Sequence, residues 1–376
     1  MQNKIVLDSF STINVLIGEN GVGKSRLLNE IAEYKANNQS NVLIINNANC
    51  PNLNYKVRTK KHLKNKNSIN KIKKIFVNFF NFNLDDERLL IDKEKSLNYL
   101  SNVLNYLSYD DVIFFKFYFK SKDMEYDLRH YEFFENLMWK YDDLSNFGYE
   151  DNKYIEFNLR NGFYDVNLNF FKFFRELGNL YFFDFDIFFR KRGNIVNLIN
   201  LSSGEKSLFS NILFLLVNLD RYKKNVIVID EPEANLHPKW QLDYLEKIRD
   251  LFYLFDPQIY LATHSPLLIS ELFFHKTEKI KQRYQIFHLD GQSISEINDE
   301  NELSLEAIYW NVFGVLTPQS SFLSRQIVTL LNKLQNNKIT IDYACVEIDK
   351  YIKASYDVEQ IRTLEDLKRE ILGIFG

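Results

Sequence analysis

Residues 13–25 read Ile-Asn-Val-Leu-Ile-Gly-Glu-Asn-Gly-Val-Gly-Lys-Ser, an apolar run that gives way to a glycine-rich turn and then to Lys24 and Ser25. The run Ile13 to Ile17 predicts a short buried strand, and the turn opens a helix predicted from about Lys24 to Tyr34. Between them Gly18, Gly21, Gly23, Lys24 and Ser25 fit the spacing G-x4-G-K-[ST]. That order has a chemical reason. Glycines let successive backbone N–H groups wrap a phosphate chain, the lysine reaches its outer oxygens, and the hydroxyl ligates magnesium. Asn20 within the loop and Arg26 just after it complete the candidate nucleotide-binding set on this side.

Much further along, Val226-Ile-Val-Ile-Asp230-Glu231-Pro232 is an apolar strand ending in two carboxylates. Asp230 is placed to hold a metal's water shell, together with Ser25, and Glu231 to activate an attacking water. Standing alone, such a strand end reads equally well as a solvated acidic turn. The surrounding pattern is that of an α/β fold. Further buried strands are expected at Asn41 to Asn46, Gln258 to Ala262 and Tyr284 to Leu289, and a first short one at Lys4 to Leu7. Helices are expected at Glu205 to Leu219, at Lys239 to Leu254 just after Pro238, and at Leu267 to Phe274.

Composition excludes several classes. Hydrophobic residues make up 45% and charged residues 26%, with 33 Phe and 22 Tyr, which is globular usage with ample core volume. The chain of 376 residues is longer than one core usually fills, so a large head with satellite elements is expected. Cys50 and Cys345 are the only cysteines, which leaves no disulfide framework and no paired zinc spacing, and fits a reducing cytoplasm. Met1 to Phe10 lacks the apolar run of a signal peptide, and no stretch of 18 apolar residues occurs. A soluble, cytoplasmic protein with no membrane partner is the expectation.

Between about Lys56 and Phe189 the chain changes to aromatic, Lys-rich and Asp-rich segments with mixed periodicity. Helices are expected near Leu97 to Leu107 and Arg129 to Tyr141, and Asp186 to Asn200 reads as a hairpin turning near Gly193. The net charge of -3 hides a run from Lys56 to Lys74 with nine basic residues and no acid. Lys56, Arg58, Lys60, Lys61, Lys64 and Lys66 are candidates to track a nucleic-acid backbone, extended by Lys71, Lys73 and Lys74, with Phe76, Phe79 and Phe80 available to stack on bases. The bland alternative is a solvated loop followed by core aromatics. From about Leu305 the chain is helical, with two apolar stripes, one at Ile327, Leu330, Leu331 and Leu334 and one at Leu364, Leu367, Ile371 and Ile374.

Leu201-Ser202-Ser203-Gly204-Glu205 stands just before the helix that leads to the Val226 strand, and Ala262-Thr-His264-Ser-Pro266 stands after it. By itself Ser-Ser-Gly-Glu is a good helix cap. In this order the motifs resemble the ABC-type ATPases of the SMC, RecF and OLD group, and most of all prokaryotic proteins labelled AAA family ATPase, in which LSSGEKSLF, IDEPEANLHP and ATHSP recur together. The resemblance covers residues 1–50 and about 195–315. It implies a P-loop NTPase with an ABC-ATPase head, a mixed α/β insert and a small helical C-terminal tail. The corresponding division is 1–55 and 190–315 for the two head lobes, 56–189 for the insert or lever, and 316–376 for the tail.

The same resemblance implies ATP and Mg2+ as cofactors and a homodimer closed around two ATP molecules, with room for a higher oligomer. Ser202, Ser203, Gly204 and Glu205 would then meet the γ-phosphate held by the partner. His264 would be the switch histidine that senses that phosphate and acts beside Glu231 in catalysis, and residues 234–237 the loop at the dimer interface. One departure stands out: no glutamine follows the second strand, where Asn46 or Asn47 occupies the place. The implied function is a switch ATPase that controls a partner effector, an HNH-type nuclease encoded nearby, as in anti-phage systems such as Septu and some retrons. A RecF-like ATPase clamping DNA in repair or recombination and a non-catalytic nucleotide-locked scaffold are the alternatives. A transporter head ranks last.

Overall fold

The computed structural model describes residues 12–47, 60–64, 69–80, 87–119, 154–161, 165–178, 183–274, 284–291, 293–297, 305–318 and 320–375, with a few helical positions between 132 and 140. The strand expected at Lys4 to Leu7, most of the helix expected at Arg129 to Tyr141, and Cys50, Lys56, Arg58 and Lys66 lie outside these residues.

The apolar runs found in the sequence become strands of one seven-stranded sheet. They are β1 (Ile13–Ile17), β2 (Asn41–Asn46), β3 (Lys60–Lys64), β8 (Asn225–Asp230), β9 (Gln258–Thr263), β10 (Tyr284–Leu289) and β11 (Ile294–Glu296), in the order β11-β10-β1-β9-β8-β2-β3. Every neighbouring pair is parallel except β10 with β11. Parallel strands buried on both faces need apolar side chains in both directions, which is why the inner strands β1, β2, β8 and β9 are largely apolar runs that do not alternate, whereas the edge strands β3 and β11 are polar. On one face Val42, Ile44, Val226, Val228 and Tyr260 pack with Leu27, Leu28 and Ile31 of α1 (Lys24–Asn37). On the other, Leu43, Ile45, Ile227, Ile229, Ile259 and Leu261 join Leu208, Ile212 and Leu215 of α5 (Ser203–Asn218) and Leu245 and Ile248 of α6 (Pro238–Phe252).

A second, antiparallel sheet has the order β5-β4-β6-β7, from β4 (Val112–Phe119), β5 (Ile155–Asn158), β6 (Phe183–Lys191) and β7 (Asn194–Asn197). The expected hairpin is β6–β7, with Gly193 at φ 80 in its turn. The second sheet carries α2 (Ile69–Phe80), α3 (Glu87–Tyr106) and α4 (Asp165–Gly178). The sheets divide the chain differently from the sequence reading. Lys60 to Lys64 add an edge strand to the large sheet, and the β6–β7 hairpin, which runs on to Asn197, belongs to the small one.

The basic run meets a correction here. Lys73 is buried on α2 and its Nζ lies 3.2 Å from Asp184 and 2.9 Å from Asp186 of β6, so its charge is spent inside the lobe. Phe76, Phe79 and Phe80 are at most 1% exposed and cannot stack on a base. Phe80 sits among Phe157, Phe170 and Phe174, with ring centroids at 5.3, 5.4 and 4.9 Å. The helical spacing of Ile72, Ile75, Phe76, Phe79 and Phe80 made this stripe core.

After α7 (Pro266–Phe274) and the β10–β11 pair, α8 (Leu305–Phe313) leads into α9 (Ser321–Gln335), α10 (Ile341–Ala354) and α11 (Val358–Phe375). These last helices have their own core of Phe322, Leu330, Leu334, Ile348, Tyr351, Leu364 and Ile371, joined by Ala307 and Leu316. Both apolar stripes of the tail therefore face inward, while Ile374 stays 74% exposed. Among the described residues no helix is long and apolar enough to cross a membrane. Phe80→Ala is expected to lower stability by about 3–4 kcal/mol through transfer and cavity terms together. A urea midpoint unchanged within error would show that the aromatic cluster is not tightly packed.

Candidate functional site

Parallel strands bring their C-terminal ends to one edge of the sheet, and the motif residues gather there. Ile17 of β1 is in register with Thr263 of β9 and His288 of β10, and Asp230 of β8 with Ala262 and Asn46. The loop after β1 depends on its glycines. A Cβ on Gly18 would sit 2.3 Å from the Leu289 carbonyl oxygen, and Gly21 and Gly23 hold φ of 85 and 99. Gly23 is the residue from which α1 starts, so the loop delivers Lys24 and Ser25 directly to a helix N-terminus. Lys24 is 6% exposed and its Nζ donates to the carbonyls of Gly18 at 2.8 Å and Glu19 at 2.7 Å. Burial lowers its pKa, against the pull of Glu231, Glu233, Asp230 and Glu19. Asn20 is exposed, and Arg26 points out of the loop, 3.3 Å from Glu30 with its side chain 87% exposed.

Asp230 ends β8 only 3% exposed, and neither carboxylate oxygen has a hydrogen-bond partner among the described residues. Burial pushes its pKa up to about 6. The nearby Ser25 hydroxyl, which reaches neither oxygen in hydrogen-bond geometry, and Lys24 oppose the shift, whereas Glu231 and Glu233 add to it. A buried carboxylate with both oxygens unsatisfied is costly unless a cation joins it. One carboxylate and one hydroxyl are few ligands, which suits a magnesium ion that retains waters and phosphate oxygens. Asn46, in register beside Asp230, is 3% exposed and its Oδ1 also lacks a partner. Asn47 is committed elsewhere: its Oδ1 accepts from Asn211 Nδ2 at 3.1 Å and Ser207 Oγ at 3.4 Å, both on α5. Of the two residues standing where a glutamine was expected, Asn46 is the one with an oxygen to offer.

Glu231 leaves the strand at φ 51, and its backbone N–H donates to the Ala262 carbonyl at 2.9 Å. A left-handed conformation is strained for a residue with a Cβ, by on the order of 1–2 kcal/mol. It turns the carboxylate toward His264, whose Nδ1 is 3.7 Å from Glu231 Oε1. A residue missed in the sequence stands closer: Glu233 Oε1 is 3.1 Å from the same nitrogen. The only signal was a second acid two residues beyond Glu231, in a turn where acids are ordinary.

The 202–205 segment is a true helix start. Ser202 Oγ accepts from Glu205 N at 3.2 Å and Glu205 Oε2 accepts from Ser202 N at 2.9 Å, a reciprocal capping box. Ser202 and Ser203 remain exposed, while Gly204 is pressed against the turn after β8, where a Cβ would meet the Asn235 carbonyl oxygen at 2.3 Å. Glu205 is 8% exposed and faces inward, where Oε1 accepts from Tyr109 Oη and Lys191 Nζ, each at 2.8 Å. Burial works against its ionisation, but Lys191, Ser202 and Tyr109 together hold its pKa below the usual carboxylate range. Glu205 thus serves the cap and is not presented to a ligand. Lys60, Lys61 and Lys64 lie on β3, apart from the phosphate-loop end of β1 by the width of three intervening strands.

The glycine loop at a helix start, the buried carboxylate at the end of β8 and the capped 203–218 helix define a P-loop nucleotide-binding head of the AAA ATPase class. The chain belongs to the family described as "AAA domain, putative AbiEii toxin, Type IV TA system", whose family model matches residues 37–270. That span takes in residues 202–205, Asp230 and His264, and the phosphate loop precedes it. Over 100 residues the chain is 36% identical to "Retron Vc95 probable ATPase" of Vibrio cholerae serotype O1 biovar El Tor, a match over 24% of this chain and 18% of that one. Over 130 residues it is 28% identical to "Energy-coupling factor transporter ATP-binding protein EcfA2" of Clostridium tetani (strain Massachusetts / E88), covering 33% of this chain and 40% of that one. These matches therefore span less than half the length of either relative. The Smc head domain of Pyrococcus furiosus, solved with an extended coiled coil bound to the C-terminal domain of ScpA, shares 11% identity over 56% of each chain at a TM-score of 0.22, too low to carry an argument.

Because the folded-state pKa of Asp230 is raised from 3.8 to about 6, the native chain holds more protons than the unfolded one between those values, and its stability falls as pH rises through them. In chelator and without nucleotide, Asp230→Asn is expected to melt a few degrees above wild type above pH 6, reflecting about 2–3 kcal/mol, and to converge with it near pH 4. A constant offset at both pH values would contradict the buried, partnerless carboxylate.

Proposed function

We propose that the protein is a switch ATPase that binds Mg2+ and ATP at the β1–β8 strand ends, closes as a homodimer around two nucleotides, and controls a separate effector. The carrying observation is the convergence of Lys24, Ser25 and Asp230 with Glu231, the last held in a left-handed conformation 3.7 Å from His264. In this reading backbone N–H groups of residues 20–24 wrap the phosphates. Lys24 exchanges the Gly18 and Glu19 carbonyls for phosphate oxygens, which accept stronger, charge-assisted hydrogen bonds. Ser25 and Asp230 hold the cation, with Asn46 Oδ1 beside them. Magnesium, when bound, supplies charge neutralisation of the phosphates. Glu231 accepts the proton of the attacking water, and His264 contacts the γ-phosphate.

Exposed Ser202 and Ser203, at the N-terminus of α5, are positioned to receive a γ-phosphate carried by a second copy. The match to a retron ATPase supports an anti-phage setting in which the effector is a nuclease encoded nearby. The residues of the small sheet serve as the lever between head and effector. Direct clamping of DNA through the aromatic stripe of α2 loses its support, since those rings are core. Glu231→Gln is expected to form an Mg2+ and ATP-dependent dimer by light scattering while phosphate release drops at least about 100-fold. A mass insensitive to ATP, with the variant hydrolysing like wild type, would overturn the composite site.

A further inference from the structure

Glu233 has no role in the reading above, yet it makes the densest set of contacts at the site. It lies in the turn after β8, 6% exposed. Its Oε1 accepts from Thr263 Oγ1 at 2.7 Å and from the His264 backbone N–H at 2.8 Å, and lies 3.1 Å from His264 Nδ1. Thr263 Oγ1 in turn accepts from Ser265 N at 2.9 Å. Ser265 Oγ donates to Gln241 Oε1 at 2.7 Å, and Gln241 Nε2 donates to the Leu236 carbonyl at 3.0 Å. Three consecutive residues, 263–265, are thus tied to the segment that follows Asp230 and Glu231.

We propose that Glu233 is the positioning residue for His264: its carboxylate lies at Nδ1, fixes the ring and offsets the charge of an imidazole that, protonated on both nitrogens, donates from Nδ1 to Glu233 and from Nε2 to the γ-phosphate. The proposal rests on the reading of His264 given under the proposed function. Three observations carry it. First, a neutral imidazole has one proton, and a carboxylate can only accept, so a carboxylate at Nδ1 decides the tautomer. It also offsets the charge of a ring that donates from both nitrogens, as an orienting acid does in other acid–base sites.

Second, two carboxylates compete for the same nitrogen, and the distances decide between them. Glu233 is at 3.1 Å and Glu231 at 3.7 Å, so Glu233 is the nearer acceptor for the ring and Glu231 the one left for water. Third, Glu233 Oε2 is buried with no hydrogen-bond partner among the described residues. Retaining a half-satisfied buried acid destabilises the fold, and a neutral residue would brace Thr263 at less cost. The charge is what His264 needs.

The test uses the full chain with 15N-labelled histidine, its His264 signals assigned by their loss in His264→Asn, and ATP turnover measured in parallel. Wild type is expected to carry the ring proton on Nδ1. In Glu233→Met, which keeps the length of the side chain and removes both acceptor oxygens, the proton is expected to move to Nε2, and kcat to fall by about 10- to 100-fold with KM for ATP within about threefold. Thr263→Val removes the brace but not the carboxylate, and is expected to keep the Nδ1 proton. An unchanged tautomer in Glu233→Met, or a kcat within about twofold of wild type, would sink the proposal. If Glu233→Met does not fold, Glu233→Asp serves, since the shorter acid keeps the charge and withdraws it from Nδ1, with the same expectations. Should wild type itself fail to hydrolyse ATP, the ATPase reading falls by that result, while the ring spectra still decide the Glu233 contact.

Discussion

Asp230 is an acid sealed at the end of a parallel strand, and much of the site follows from that constraint. The strand β8 runs between β9 and β2, so its side chains are buried on both faces up to the last residue. The pleat puts Val226 and Val228 on the α1 face, and Asp230 follows them there, next to Ser25 and Lys24. The following residue has to leave a sheet in which every neighbouring position is filled. Glu231 does so in a left-handed turn anchored on Ala262, and the sharp exit carries Glu233 back over the end of β9. Asp230, Glu231 and Glu233 then join Glu19 around a single lysine, a charge arrangement that a divalent cation completes and that bare phosphates would find repulsive.

What could be read from the sequence was what depends on neighbours in the chain. The glycine loop was legible because its three glycines answer a local backbone requirement, and the strands were legible because two-sided burial leaves unbroken apolar runs. Glu233 was not, nor was the choice of Asn46 over Asn47, because both come from register: each acts on a residue of a strand that is adjacent only after folding. Gly204 was taken as part of an anion site, and its close approach to Asn235 could not be seen without the turn packed against it. The basic run from Lys56 offered two readings, a nucleic-acid track and a solvated loop followed by core aromatics, and the period of Ile72, Ile75, Phe76, Phe79 and Phe80 is that of a buried helical face, with acids on β6 for Lys73 to meet.

The insert does not merely adjoin the head. Phe209 of α5 packs on Phe76 of α2 at 5.5 Å and on Phe189 of β6 at 5.1 Å. One turn earlier, Glu205 takes both Tyr109 and Lys191 from the small sheet and its approach, with Lys191 also 4.4 Å from the Tyr109 ring. The helix that begins at Ser203 is therefore fastened near its first turn to the lobe expected to act as the lever. The other side of that turn is closed by Asn235, which belongs to the same turn as Glu233. A rigid displacement of β6 relative to the large sheet cannot leave both contacts intact, because neither a Glu205 cap nor a Gly204 contact of this closeness has slack.

The energetic cost of the site is concentrated at a few atoms. Asp230 has two unsatisfied oxygens and Glu233 one, Glu231 is in a disfavoured backbone region, and Lys24 is desolvated with carbonyls as its partners. Each lies within the strand-end loops, while the flanking cores are filled by residues at or near zero exposure. A fold can carry such a cluster only when packing elsewhere over-determines it, and the sheet does so by registering β1, β9, β8 and β2 residue by residue. Substitutions that relieve these atoms are expected to stabilise the chain and to weaken what it does, because the unsatisfied oxygens of Asp230 are the ones a cation would use and the desolvated Lys24 is the donor a phosphate would use. The distribution of strain thus separates the residues retained for chemistry from those retained for packing, and Asn46 and Glu233 fall with the former.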